Sequence, residues 1–183
     1  MMHTTKTGTP AYENHLSSEE ARWFAVYTRS KSEKVVKQLL DAKGIENYLP
    51  LLNVTRRYTR KIKQLQLPLI SCYIFVKIVK DQYVPVLETE NVVKFIRFSK
   101  NLIAIPDEEI DIMRRVVGEV KEVEAEMGVM KEGDLVEIIG GRLTGIKGRL
   151  VEKQGKKKMV VALENIGYSL SMTIDASLLR KVI

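Results

Sequence analysis

Gly141-Arg142-Leu143-Thr144-Gly145-Ile146-Lys147-Gly148-Arg149-Leu150 decides how the C-terminal half of this 183-residue chain reads. Three glycines at these spacings mark a tight turn where a β-structure folds back and leaves no room for side chains. Short β-like runs surround it: Asp134 to Ile139, Gly148 to Lys153, Met159 to Glu164, Tyr168 to Ile174 and Leu178 to Val182. Turns bearing Gly133, Gly140-Gly141, Gly155 and Gly167 separate them. Five strands in about 50 residues predict a small closed barrel.

Upstream the texture differs. Trp23-Phe24-Ala25-Val26-Tyr27-Thr28 is a nearly continuous apolar run, as in a central strand buried on both faces. Ser30 and Glu33 have capping-box spacing, and Val35, Val36, Leu39 and Leu40 follow on one helical face, closed by Lys43-Gly44. A strand over 45–55 leads to Arg56-Arg57-Tyr58-Thr59-Arg60-Lys61-Ile62-Lys63, too charged for a core and read as an exposed hairpin tip. The chain resumes as a strand around Tyr73-Ile74-Phe75-Val76, with Cys72 read as a core residue inside it. A short helix near 81–88 and a strand near 92–98 come next. Pro106-Asp107-Glu108-Glu109 then opens a helix, with acids at its positive dipole end. The order predicts an α/β sandwich with a mixed or antiparallel sheet, and an α+β chain of two domains.

Composition narrows the function. Thirty Lys plus Arg against 23 Asp plus Glu leave a charge of +7, unevenly spread. Arg22 to Ile105 carries +10, Pro106 to Glu126 carries −5, Met127 onward carries +4, and the first 21 residues carry −2. Two basic units separated by an acidic one suit a chain facing a polyanion. One cysteine excludes an internal disulfide and fits a reducing, cytoplasmic setting. No apolar run reaches the roughly 20 residues of a membrane span, and residues 1–21 look like a flexible polar tail, not a signal peptide. The only histidines, His3 and His15, fall in that tail, so no histidine-based catalysis or metal site is expected. The acids of the basic half are scattered, and no phosphate-cradling Gly-rich loop ends in Lys-Ser/Thr. No enzyme, cofactor or metal is expected.

The glycine-turn segment resembles the KOW motif of NusG-type transcription factors and several ribosomal proteins. The strand over 23–28, the Ser-Lys-Ser-Glu helix entry, Pro68-Leu69-Ile70-Ser71-Cys72-Tyr73-Ile74-Phe75-Val76 and Val92-Val93-Lys94-Phe95-Ile96 together resemble the NusG N-terminal (NGN) domain. The chain is therefore similar to NusG-like elongation factors over residues 22 to 183. The divergent N-terminal half and polar tail look closest to UpxY-type antiterminators of capsular polysaccharide operons. This implies a flexible tail (1–21), an NGN-type α/β sandwich (22–118), an acidic linker (119–130) and a five-stranded SH3-like KOW β-barrel (131–183).

The resemblance implies an apolar pocket for the two clamp helices of the RNA polymerase β′ subunit, made by Tyr73, Phe75, Phe95, Ile110 and Met113. It also implies a nucleic-acid surface for non-template DNA or nascent leader RNA: Arg29, Lys31, Lys34 and Lys37, with Arg56, Arg57, Tyr58, Arg60, Lys61 and Lys63. Cations there neutralise phosphates, and Tyr58 can stack on a base. In the KOW turn (Gly141, Leu143, Gly145, Gly148), Leu143 stands where general NusG usually carries Phe, which puts the family's ribosomal-protein and Rho contacts in question and leaves room for another regulatory protein. Lys153, Lys156, Lys157 and Lys158 suit nascent RNA. Some relatives refold this barrel as a helical hairpin; the β-branched, glycine-rich pattern here argues for the barrel. The function so implied is operon-specific antitermination by a bacterial factor that accompanies transcription on the nucleoid. The alternatives are a general elongation factor coupling to Rho or the ribosome, and a translation-associated RNA-binding protein.

Overall fold

A computed structural model describes residues 11–183 of the chain. The first domain is built on a four-stranded antiparallel sheet of β1 (Arg22–Thr28), β2 (Glu46–Tyr48), β5 (Tyr73–Ile78) and β6 (Val92–Phe95), in the order β2-β5-β1-β6. The apolar run over 23–28 occupies the centre of this sheet because both of its faces are covered. Trp23 and Ala25 point one way with Phe75, while Phe24 and Val26 point the other way with Ile74 and Val76. Helix α1 (Glu33–Ala42) covers the second face with Val36 and Leu40, assisted by Val86 of α2 (Tyr83–Leu87). Helix α3 (Asp107–Glu119) covers the first with Ile110, Met113 and Val116.

Strands β3 (Leu51–Tyr58) and β4 (Lys61–Pro68) leave this body as a separate hairpin, paired from Leu51↔Pro68 to Tyr58↔Lys61. Its turn falls in the basic stretch, as expected for residues too charged to bury.

The second domain is a six-stranded antiparallel sheet: β7 (Val123–Met127), β8 (Asp134–Ile138), β9 (Lys147–Lys153), β10 (Lys156–Leu163), β11 (Tyr168–Met172) and β12 (Leu179–Lys181). Its order is β12-β8-β9-β10-β11-β7. The five expected runs are present, and a sixth strand comes from the stretch expected as an acidic linker. There α3 continues to Glu119, and Val123–Met127 pairs with β11 from Val123↔Met172 to Met127↔Tyr168. Alternation explains the difference: Val123 and Ala125 meet the core while Glu124 and Glu126 meet solvent, a strand pattern hidden beneath the acidic composition.

Three local expectations give way to tertiary contacts. The polar tail is docked in its described part: Asn14 bridges Leu102, His15 N–H donates to Leu102 O, and Ser17 O accepts from Lys80 N–H. Residues 1–10 lie outside the described residues. The capping box of Ser30 and Glu33 does not form, because the chain turns through Lys31 (φ +61°) and α1 starts at Glu33 itself. The Glu33 carboxylate instead accepts the Cys72 N–H at 2.7 Å. Cys72 sits in a left-handed turn (φ +65°) just before β5, half-buried, not inside the strand.

Two glycines separate packing from propensity. A Cβ at Gly148 would lie 2.6 Å from the Val160 carbonyl oxygen, whereas one at Gly118, in the last turn of α3, meets nothing within 4 Å. Gly148→Ala is expected to destabilise the chain by about 1–3 kcal/mol through overpacking. Gly118→Ala is expected to stabilise it by about 0.5 kcal/mol through helix propensity. Urea unfolding of both variants reads the opposite signs.

Candidate functional site

Ile110, Met113 and Val116 recur at three-residue spacing and give α3 one apolar stripe. The indole N–H of Trp23 donates to Asp107 Oδ1 at 2.9 Å and fixes the start of the helix against β1. Beside the stripe, β5 contributes Phe75, fully buried, and Tyr73, half-buried. Four of the five residues expected to form a polymerase pocket, Tyr73, Phe75, Ile110 and Met113, therefore share one surface. Phe95 does not belong with them. The β1–β6 register puts it opposite Val26, on the α1 side, where it stacks on Tyr83 at 4.4 Å and meets Phe24 edge-on at 6.4 Å. Strand parity sends it to the far face of the sheet.

The second domain covers this surface. Leu143, Ile146, Leu163 and Ile166 join the same buried cluster as Phe75, Ile110 and Met113, so one apolar core runs across both domains. Tyr168 of β11 packs edge-on against Tyr73 at 5.4 Å. Burial and its phenolic neighbours push the Tyr73 hydroxyl up to about 12, so the ring is neutral throughout the physiological range.

Polar contacts bracket the apolar strip at both ends of α3. In the first turn, Glu109 Oε1 accepts from the backbone N–H and the side-chain amide of Asn165, each at 3.0 Å. In the later turns, the Arg115 guanidinium donates to Arg142 O at 3.0 and 2.9 Å and to Thr144 O at 2.6 Å. These carbonyls belong to the turn that carries Gly141 and Gly145. Leu143 in that turn is only 7 % exposed, held beneath α3 and not offered to a partner, while Gly141 and Gly145 adopt positive φ and Gly148 passes close to β10.

The basic residues divide by surroundings. Arg29, Lys31 and Lys34 are exposed, whereas Lys37 is half-buried and bonded to Asp41 at 3.2 Å and to Asn47 at 3.2 Å. Arg56, Arg57, Arg60, Lys61 and Lys63 are exposed and make no ion pair among the described residues; Tyr58 between them is 48 % exposed. Arg56 lies directly opposite Lys63 in the ladder, a like-charge pair that a polyanion would relieve. In the second domain, Lys153 pairs with Glu126 and Lys158 with Glu124 at 3.7 Å, while Lys156 and Lys157 are exposed. The former linker thus occupies half of the lysine cluster read as an RNA contact.

Glu109, Arg115, Asn165 and Tyr168 escaped the sequence reading. Glu109 carries a local signal, an acid in a first helical turn, but that signal points to the helix dipole and not to a partner 56 residues away. Among the described residues no group of three or more His, Cys, Asp and Glu is placed to hold a metal, and no helix is long and apolar enough to cross a membrane.

Burial raises the pKa of Glu109 above 4.5, its Asn165 hydrogen bonds opposing the shift only in part, and Oε2 is buried without a partner. A raised pKa means that the folded chain keeps a proton where the unfolded chain has lost it. Stability from this group is full below pH 4.5 and declines as pH rises through the raised value. Urea unfolding from pH 4.5 to 7 is expected to show this decline, with Glu109→Gln flattening it.

A family model and one solved structure bear on this architecture. A family model described as NusG, transcription termination factor, matches residues 21–114, just over half of the chain. No curated protein sequence matches it. Among solved structures, one described as showing domain interaction in Thermotoga maritima NusG shares 20 % identity and a TM-score of 0.57, over 91 % of this chain and all of that one. Two conformations of an MjSpt4:Spt5 complex share 17 % identity, with TM-scores of 0.31 and 0.32, over 87 % of this chain and 97 % and 96 % of theirs.

Proposed function

The chain belongs to the NusG family of transcription factors, and on that premise we propose that it is an operon-specific antitermination factor whose polymerase-binding face is closed by its own second domain. The face of Tyr73, Phe75, Ile110 and Met113 takes the paired clamp helices of the polymerase β′ subunit. A helix tip needs an apolar groove with aromatic anchors, and this surface has that chemistry. Bound there, the factor suppresses pausing and premature termination. The β3–β4 hairpin lies on phosphates of the non-template strand or leader RNA with Tyr58 against a base, contacts that weaken as salt rises.

Operon specificity rests on one observation: the face is buried under the second domain. A ligand that binds only the open form has its apparent affinity reduced by the open fraction. Closure worth about 2.8 kcal/mol lowers apparent affinity about 100-fold. A general elongation factor, needed on every transcript, gains nothing from such a reduction. A factor that acts where a leader sequence or a bound regulator opens it does. The same closure hides Leu143, so contact with a ribosomal or regulatory protein through the KOW turn also awaits opening. The resemblance to UpxY-type factors points to polysaccharide biosynthesis operons as the targets, and to action in the bacterial cytoplasm on the nucleoid.

Retention of core RNA polymerase by the full chain tests the reading. The wild type is expected to retain little, and Tyr168→Ala or Arg115→Ala to raise retention about tenfold. Adding Tyr73→Ala to Tyr168→Ala is expected to abolish that gain. Equal retention by all four chains contradicts the masked face. In transcription assays, read-through of a terminator is expected to need the operon leader; equal read-through with the leader swapped out contradicts operon specificity.

A further inference from the structure

We infer that the outward face of the β3–β4 hairpin reads base pairs in the major groove of duplex DNA, with Asn53, Gln64 and Gln66 selecting adenines. The inference rests on the reading that this hairpin meets nucleic acid, and adds which form it meets and through which residues.

The ladder register sorts the hairpin into two faces, because directly opposed residues share a face and successive pairs alternate. Asn53↔Gln66, Thr55↔Gln64 and Arg57↔Ile62 lie on one side. Leu52↔Leu67, Val54↔Leu65, Arg56↔Lys63 and Tyr58↔Lys61 lie on the other. That second face holds the aromatic ring, three cations and the apolar root of the hairpin, where Leu52 packs against the core and Val54 and Leu65 are half-buried. The first face is exposed at all six positions and carries a single charge, on Arg57. Its amides and hydroxyl take no side-chain hydrogen bond among the described residues. One side is built for phosphates, and the other gathers free donors and acceptors.

Amides on a narrow ribbon are the chemistry of duplex reading. An Asn or Gln side chain both donates and accepts, and so matches the N7 acceptor and N6 donor of adenine in a bidentate pair. Arg57 suits the O6 and N7 acceptors of guanine, and Ile62, 66 % exposed, suits the methyl group of thymine. Two strands about 4.8 Å apart fit a major groove about 12 Å wide. Same-face residues recur at about 6.8 Å along a strand, close to two base-pair steps of about 3.4 Å. Single strands are held by stacking on aromatic rings, and this face has none. The major groove of A-form RNA is too deep and narrow for side chains to read. Duplex DNA is the form that fits. The long side chains of Arg56, Lys61 and Lys63 serve the flanking phosphates, which fix position while the amides specify.

The probe is a duplex DNA library randomised over about one helical turn, from which the full chain selects. Wild type is expected to enrich a motif of about five base pairs that contains adenines. Gln64→Arg is expected to change one of those adenines to guanine, an outcome that loss of folding cannot imitate. Fluorescence anisotropy then compares the selected duplex with the unselected library. Asn53→Ala, Gln64→Ala and Gln66→Ala together are expected to remove at least about tenfold of the preference and to leave binding of the library unchanged. Arg56→Ala with Lys63→Ala is expected to weaken both alike and to lower the salt slope by about 2. Enrichment of no motif, or of one motif by wild type and both amide variants alike, overturns the inference. Equal binding of the selected sequence as a single strand or as RNA overturns it too, while leaving the nucleic-acid contact of the hairpin standing. Absence of binding to all three forms contradicts that contact as well.

Discussion

Ile110, Met113 and Val116 lie along one side of α3, with Phe75 and Tyr73 beside them on β5. A strip of this kind is costly to leave in water, since each fully buried side chain of this size contributes roughly 1.5–3 kcal/mol. The four-stranded sheet can cover only one side of it. The remaining side needs another surface, and the second domain supplies one through Leu143, Ile146, Leu163 and Ile166. The domain arrangement, the burial of Leu143 in its glycine-bearing turn and the short connection through residues 120–122 all follow from where that strip is satisfied.

Polar groups give the apolar contact its register. Greasy surfaces slide at small cost, but a carboxylate at one end of a helix and a guanidinium at the other do not. Glu109 accepts from Asn165 and Arg115 donates to the carbonyls of Arg142 and Thr144, so each end of α3 is matched to a different turn of the barrel. Charge divides the rest of the surface. Among the described residues the cations of the β3–β4 hairpin have no ion-pair partner, whereas Lys153 and Lys158 are satisfied by the acids of β7. One basic surface is left open to solvent, and half of the other is already occupied.

Much of this was legible in the residues. The central strand at 22–28, the charged hairpin tip and the five β runs after Gly133 follow from periodicity, charge and turn chemistry, which act over short distances. Tyr73, Phe75, Ile110 and Met113 fall on one surface because strand parity and helical spacing assign them one face each. The failures share a cause. Phe95 was assigned to the wrong face because its register against β1 depends on a bulge between Tyr27 and Thr28 that no local pattern announces. Glu33 was read as a cap and Glu109 as a dipole partner, and in both cases a distant backbone N–H bonds the side chain. The linker concealed a strand because its acids outnumber the two apolar residues that carry the alternation.

On the proposed reading, the second domain covers a polymerase-binding face in the free chain and leaves it on binding. A covalent tie across the junction tests this most directly. With Cys72→Ser removing the native thiol, Glu109→Cys and Asn165→Cys place two thiols at hydrogen-bonded positions on opposite domains. Polymerase retention is then measured for the oxidised and the reduced chain. No retention is expected when oxidised, and recovery on reduction. Equal retention in both states would contradict it.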